Sequence, residues 1–103
     1  MTSTLFDIQA EFCKAMGNAA RLQVLHILRA RPKSVSEICQ EIDLSQSNVS
    51  RQLACLRNAG VVVAKRNGMG MVYQITDEKI VEVCDLVRSV LVEQIHRRSQ
   101  YIE

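Results

Sequence analysis

The sequence predicts a mainly α-helical domain with one small β-hairpin, in the order α-α-α-α-β-β-α, and three observations carry that prediction. Apolar residues recur at helical spacing over five stretches, separated by capping and stop residues. Two β-branched segments, Val61-Val62-Val63-Ala64 and Met71-Val72-Tyr73-Gln74-Ile75-Thr76, flank a basic Asn-Gly turn, Lys65-Arg66-Asn67-Gly68-Met69-Gly70. The chain of 103 residues is 48% hydrophobic and 23% charged, which fits one globular domain over 1–103 with no repeat, low-complexity tract or linker.

The first helix, about 5–16, places Leu5, Ile8, Phe12 and Met16 on one stripe with Phe6 and Cys13 beside it, and stops at Gly17. Asn18 stands where an N-cap belongs for a second helix over about 18–30, carrying Leu22, Val24, Leu25, Ile27 and Leu28 and ending before Pro32. Ser34 or Ser36 caps a short third helix whose Ile38 and Ile42 make a stripe about two turns long. After Asp43-Leu44-Ser45, with Ser45 as cap, a fourth helix runs through Asn58 with Val49, Leu53 and Leu56 on one face, and Gly60 ends it. Thr76 or Asp77 caps a long final helix, about 77–98.

At 100° per residue, Ile80, Val81, Val83, Cys84, Leu86, Val87, Val90, Leu91, Val92 and Ile95 of that helix spread over roughly 240°. A single core stripe needs only about 100°. The excess predicts burial on two sides, by the helix's own domain and by a second subunit, and the first helix has a similarly wide arc. The two terminal helices are therefore the expected homodimer interface. The other arrangement, packing wholly inside a monomer, demands more core than so small a domain has.

Composition removes several function classes. With no Trp, two Phe and two Tyr, the chain lacks the stacking platforms of single-strand and RNA binders. No run approaches the roughly 18–20 apolar residues of a membrane span, so no membrane partner is expected. Asp7 and Glu11 fall where a signal peptide would carry positive then apolar residues, so a cytoplasmic location is expected. Cys13, Cys39, Cys55 and Cys84 form no C-x-x-C pair and default to free thiols there. Gly-rich phosphate loops, G-x-S-x-G and H-E-x-x-H are absent, and no enzyme is expected.

The net charge of +2 conceals segregation. Leu44 through Thr76 contains no acid but holds Arg51, Arg57, Lys65 and Arg66, whereas acids gather at Glu37 to Asp43 and Asp77 to Glu93. Such segregation suits a protein with one face on phosphate. Helices three and four, about 34–59, then read as a helix-turn-helix, with the hairpin, about 61–76, as its wing. In that unit the second helix enters the major groove of double-stranded DNA. The residues it would present are Ser45, Gln46, Ser47, Asn48, Ser50, Arg51 and Gln52, types that pair with adenine, guanine or phosphate. Lys65, Arg66 and Asn67 at the hairpin turn are expected to add sequence-blind affinity.

The runs Met16-Gly17-Asn18-Ala19-Ala20-Arg21-Leu22-Gln23-Val24-Leu25, Ser36-Glu37-Ile38-Cys39, Leu44-Ser45-Gln46-Ser47-Asn48-Val49-Ser50-Arg51-Gln52-Leu53 and Leu56-Arg57-Asn58-Ala59-Gly60-Val61-Val62 resemble the ArsR/SmtB family of bacterial winged-helix repressors. The resemblance covers about 5–95. It implies a homodimer joined by its terminal helices, bound to an inverted repeat and released by a metal, metalloid or thiol-directed signal. Many relatives read Ser-Arg-His-Leu where this chain has Ser50-Arg51-Gln52-Leu53.

The family's metal sites do not carry over. Its third-helix Cys-x-Cys is reduced here to Cys39 in Glu37-Ile38-Cys39-Gln40-Glu41, and its Asp-x-His on the last helix has no counterpart beside the late His96. No metal ligands are assigned and no cofactor is required; a soft-metal or metalloid inducer remains an open expectation. Cys13 and Cys84 are the candidate thiol sensor if the first and last helices pack together, with inert packing as the other reading. Cys55 lies beside Asn48 and Arg51, and His26 falls among leucines. The competing function is a helical protein-interaction module without specific DNA binding, which the wide apolar faces alone would fit.

Overall fold

A computed structural model describes residues 4–101, so residues 1–3 and 102–103 of the expected domain lie outside the described residues. Five helices and one hairpin follow in the expected order: α1 Leu5–Met16, α2 Ala19–Leu28, α3 Val35–Cys39, α4 Gln46–Asn58, β1 Val62–Asn67, β2 Gly70–Ile75 and α5 Glu78–Tyr101.

Local chemistry fixes the boundaries. Thr4 and Asp7 form a capping box at α1, each side chain accepting the other residue's backbone N–H at 3.1 Å. Asn18 Oδ1 accepts the Arg21 N–H (3.1 Å), and Ser45 Oγ accepts the Asn48 N–H (3.1 Å). At α3 the cap is Ser34, in a second capping box with Glu37. That helix is shorter than its apolar spacing predicts: beyond Cys39 the Glu41 N–H reaches back only three residues, to the Ile38 carbonyl. Ile42 still packs against the core, from the turn rather than from a second helical turn.

Gly60 ends α4 with φ +80°, and the Val61 and Gly60 N–H groups donate to the Leu56 and Arg57 carbonyls (2.9 and 3.0 Å). This is a Schellman ending, and Val61 at its exit is as fully buried as Leu56. The core joins Val24, Leu25 and Leu28 of α2, Ile38 of α3, Val49, Leu53 and Leu56 of α4, and Val61 and Val62 entering the hairpin.

The hairpin corrects one sequence expectation. Lys65, Arg66 and Asn67 are not in the turn: they are the last three residues of β1, paired with Val72, Met71 and Gly70. The loop is Gly68-Met69, with Gly68 at φ +65°, the first central position where a II′ turn requires glycine. Polar residues extend the ladder because antiparallel pairing engages backbone groups whatever the side chains. Since side chains alternate along a strand, Lys65 and Arg66 leave the wing on opposite faces.

A backbone bridge absent from the sequence reading ties the wing to the helices. Lys33, between α2 and α3, exchanges hydrogen bonds with Tyr73 of β2 (3.1 and 2.8 Å). Its side chain is only 8% exposed and its Nζ meets Glu41 Oε2 at 2.5 Å. Removing the carboxylate leaves a buried ammonium unpaired. Glu41→Gln is thus expected to cost about 1–2 kcal/mol in urea unfolding, reduced from the fully buried case because Glu41 itself reaches solvent. Lys33→Met should cost less.

α5 is held differently. Asp77 Oδ1 accepts the Lys79 N–H (2.9 Å) at its start, and Ile80 packs against the core. Beyond that turn the helix stands away from the body, leaving Leu86 68%, Val90 45% and Ile95 63% exposed. α1 likewise exposes Leu5, Phe6 and Ile8.

Candidate nucleic-acid interface

The buried stripe Val49, Leu53 and Leu56 turns the opposite face of α4 outward, so Ser47, Ser50 and Arg51 lie together on one exposed surface with Gln46 beside them. Three expected contacts have other work. Ser45 spends its hydroxyl on the cap, with Ser47 Oγ at 3.2 Å. Half-buried Asn48 and Gln52 are joined to each other, Gln52 Nε2 donating to Asn48 Oδ1 at 2.9 Å. This pair, one helical turn apart, holds its amides in a fixed orientation along the flank of the helix.

Lys65, Arg66 and Asn67 are exposed on the wing, not gathered at its tip. The wing's base is tied to the end of α4: Thr76 Oγ1 donates to the Gly60 carbonyl (2.8 Å) and the Thr76 N–H to the Val61 carbonyl (3.0 Å). With the Lys33–Tyr73 bridge, these bonds make helix and wing one rigid surface. Sequence periodicity could not show this, because the partners are far apart in the chain.

Next to this surface, Glu37 accepts the Ser34 N–H (3.0 Å) and the Arg31 guanidinium (2.8 Å). The backbone N–H first, then Arg31, hold its carboxyl below the ordinary glutamate value. A lowered folded-state value means this cap is fully stabilising above the unfolded-state pKa and weakens as pH falls through the folded one. An NMR titration is expected to show Glu37 protonating at lower pH than a free glutamate, and Arg31→Gln should move it back upward.

A second feature lies on the far side. A cavity of about 700 Å³ opens between α1, α2, the hairpin base and α5, and both Cys13 and Cys84 line it. Cys13 is exposed and Cys84 half-buried, and all four cysteines are free thiols. Burial, with Asp85 adding and Arg29 opposing, pushes the Cys84 thiol above its ordinary value, which lowers its thiolate fraction. Cys55 is exposed on α4, Cys39 packs against the core, and His26 reaches solvent. Among the described residues no group of three or more His, Cys, Asp or Glu is arranged to hold a metal ion. No described helix is long and apolar enough to cross a membrane.

Comparison with known proteins agrees with this geometry. The family model for bacterial regulatory proteins of the arsR family matches residues 18–63. Rv0081, an HTH-type transcriptional regulator of Mycobacterium tuberculosis, is 38% identical over 96% of this chain and 88% of its own length. Its crystal structure gives a TM-score of 0.83 over 94% of this chain and 98% of that one. Mb0332 of Mycobacterium bovis, whose solution structure is described as a homodimeric winged helix-turn-helix DNA-binding domain, is 30% identical with a TM-score of 0.83, covering 90% of this chain and 86% of that one. The transcriptional repressor BigR of Xylella fastidiosa is 28% identical with a TM-score of 0.71, over 79% and 83% of the two chains. These likenesses support the DNA-binding expectation and not the interaction-module alternative.

Proposed function

The chain belongs to the arsR family of bacterial regulatory proteins and is a winged helix-turn-helix transcriptional regulator; from that premise we propose that it works in the cytoplasm as a homodimeric repressor of a palindromic operator. The observation that carries the reading is the acid-free outer face of α4, locked from beneath by three fully buried residues. Two copies pair through the apolar faces of α1 and α5 and set their α4 helices in successive major grooves, about one helical turn apart. Ser47, Ser50 and Arg51 meet base edges or phosphate, Gln46, Asn48 and Gln52 flank them, and Ser45 orients the N-terminal turn. Lys65, Arg66 and Asn67 supply wing contacts from two faces of the hairpin, so Lys65 and Arg66 are not interchangeable. Bound dimer blocks transcription by occupancy.

Fluorescence anisotropy on the DNA upstream of its own gene tests this. Arg51→Ala is expected to weaken specific binding by about 1–3 kcal/mol and leave random-sequence binding nearly unchanged, whereas Lys65→Ala weakens both alike. Equal loss on both DNAs for Arg51→Ala removes it from base readout. A transcription assay in which added protein raises transcript makes the protein an activator.

Release is part of the same proposal: a thiol-directed signal, whether oxidant, persulfide, soft metal or metalloid, acts at Cys13 and Cys84. Their shared cavity supports it. Affinity that falls with modification of both thiols, and persists in the Cys13→Ser/Cys84→Ser protein, is the expected result; equal release of both proteins ends the thiol reading.

A further inference from the structure

The cavity that separates α5 from the body leaves that helix few ways to keep its angle. Its first turn is anchored by Asp77 and Ile80. Partway along, Arg29 Nη2 at the end of α2 meets Asp85 Oδ2 of α5 at 2.5 Å, both residues lining the cavity. From Asp85 to the end of the helix is about 24 Å at 1.5 Å per residue. A tilt of about 10° there displaces the far end by about 4 Å, and two-fold symmetry applies the change to both subunits.

We propose that the Arg29–Asp85 ion pair is a positioning contact that fixes the angle of α5 to α2, and thereby the separation of the two recognition helices in the dimer. This rests on the dimeric DNA-binding reading above. Arg29 is the residue that directly follows α2, and α2 supplies Val24, Leu25 and Leu28 to the core on which α4 sits, so Arg29 moves with the recognition helix. Asp85 lies on the helix whose exposed apolar face receives the partner, so it moves with the other subunit. A dimer that reads two half-sites must hold its recognition helices near one helical repeat, about 34–36 Å, and an error of a few ångströms puts one of them out of its groove.

The exposure of the pair favours positioning over stability. Arg29 and Asp85 keep 35% and 46% of their side-chain surface in solvent, and an ion pair of that exposure adds little to folding free energy. Lys79 and Arg88 line the same cavity, as does Asp77. Neutralising Asp85 alone therefore leaves an excess of cation against the helix, with no carboxylate at that point to draw Arg29 in.

The test uses the full-length protein and a series of inverted repeats whose half-site spacing is changed by one and two base pairs either way. Asp85→Asn and Arg29→Gln are expected to stay dimeric in sedimentation, with unchanged thermal unfolding, to bind the natural spacing about 3- to 10-fold more weakly, and to lose the wild-type preference among spacings. The reversed pair, Arg29→Asp/Asp85→Arg, is expected to restore both affinity and preference. An unchanged spacing profile in the single variants, a loss that tracks melting temperature or dimer dissociation, or failure of the reversed pair to rescue overturns the assignment. If the wild-type protein binds no inverted repeat, the dimeric DNA-binding reading falls and takes this one with it; a wild type with a spacing preference that the variants share leaves that reading standing and removes the positioning role of the Arg29–Asp85 pair alone.

Discussion

Leu86→Asp combined with Val90→Asp is expected to give a folded monomer whose operator affinity falls about 100-fold or more. Leu86 and Val90 lie one turn apart on the outer side of α5, and neither touches the α2, α3 and α4 core. Their exposure in a single chain is a cost the isolated domain cannot remove; pairing removes it, at about 1.5–3 kcal/mol for each such side chain fully covered. Two carboxylates per subunit would instead be desolvated at the interface, which costs several kcal/mol for each ion left unpaired. Each monomer keeps its own recognition helix, so half-site binding survives and what disappears is the effective concentration that one bound half-site gives the other. Sedimentation equilibrium and anisotropy on one- and two-half-site DNA separate these effects. Ser89→Asp, on the polar side of the same helix, serves as the control and is expected to change neither. A Leu86→Asp/Val90→Asp protein that remains dimeric places the interface elsewhere.

This interface was legible in the sequence because its signal is one of excess. Periodicity shows how much of a helix is apolar, and the roughly 240° arc of the final helix exceeded what one neighbour can cover. The caps at Asn18 and Ser45 and the glycine stop at Gly60 were equally legible, because each is settled within a few residues. The hairpin was recognised but cut short. Val61 to Ala64 announces a strand by side-chain type, whereas Lys65, Arg66 and Asn67 belong to it only through backbone pairing, which leaves no trace in composition. The Lys33–Tyr73 bridge and the Arg29–Asp85 pair join residues far apart in the chain, and nothing local at Pro32-Lys33-Ser34 or at Asp85 distinguishes them from surface charges. The candidate readout residues of the sequence fall on α4 and its cap, Gln46, Ser47, Ser50 and Arg51 exposed and Asn48 and Gln52 half-buried. Their division into Ser47, Ser50 and Arg51 outward, Ser45 committed to a cap, and Asn48 with Gln52 bonded to each other needed coordinates.

The inner face of the same helix gives the second large effect. Leu53→Ala is expected to destabilise the protein by about 2–5 kcal/mol, because a fully buried leucine loses both its transfer free energy and the contacts around the cavity it leaves. For a domain of this size that is a large share of a total near 5–15 kcal/mol, and the melting temperature should fall by about 10–30 °C. Leu53 sits between Val49 and Leu56 over α2 and α3, so the void opens beneath the point where α4 is clamped to the body. While most of the protein remains folded, the outer face of α4 keeps its residues, and discrimination between operator and random DNA should persist at low temperature. Arg51→Ala has the opposite signature: it reduces discrimination and leaves unfolding within about 0.5 kcal/mol of wild type, as expected for an exposed residue away from caps and core. Urea unfolding and anisotropy on both variants, at one fixed protein concentration because folding and pairing are linked, put the two faces on separate axes. If Leu53→Ala abolishes discrimination while still folded, readout depends on the rigidity of α4 as well as on the side chains it carries, and the inner stripe becomes part of the DNA-binding surface's specificity.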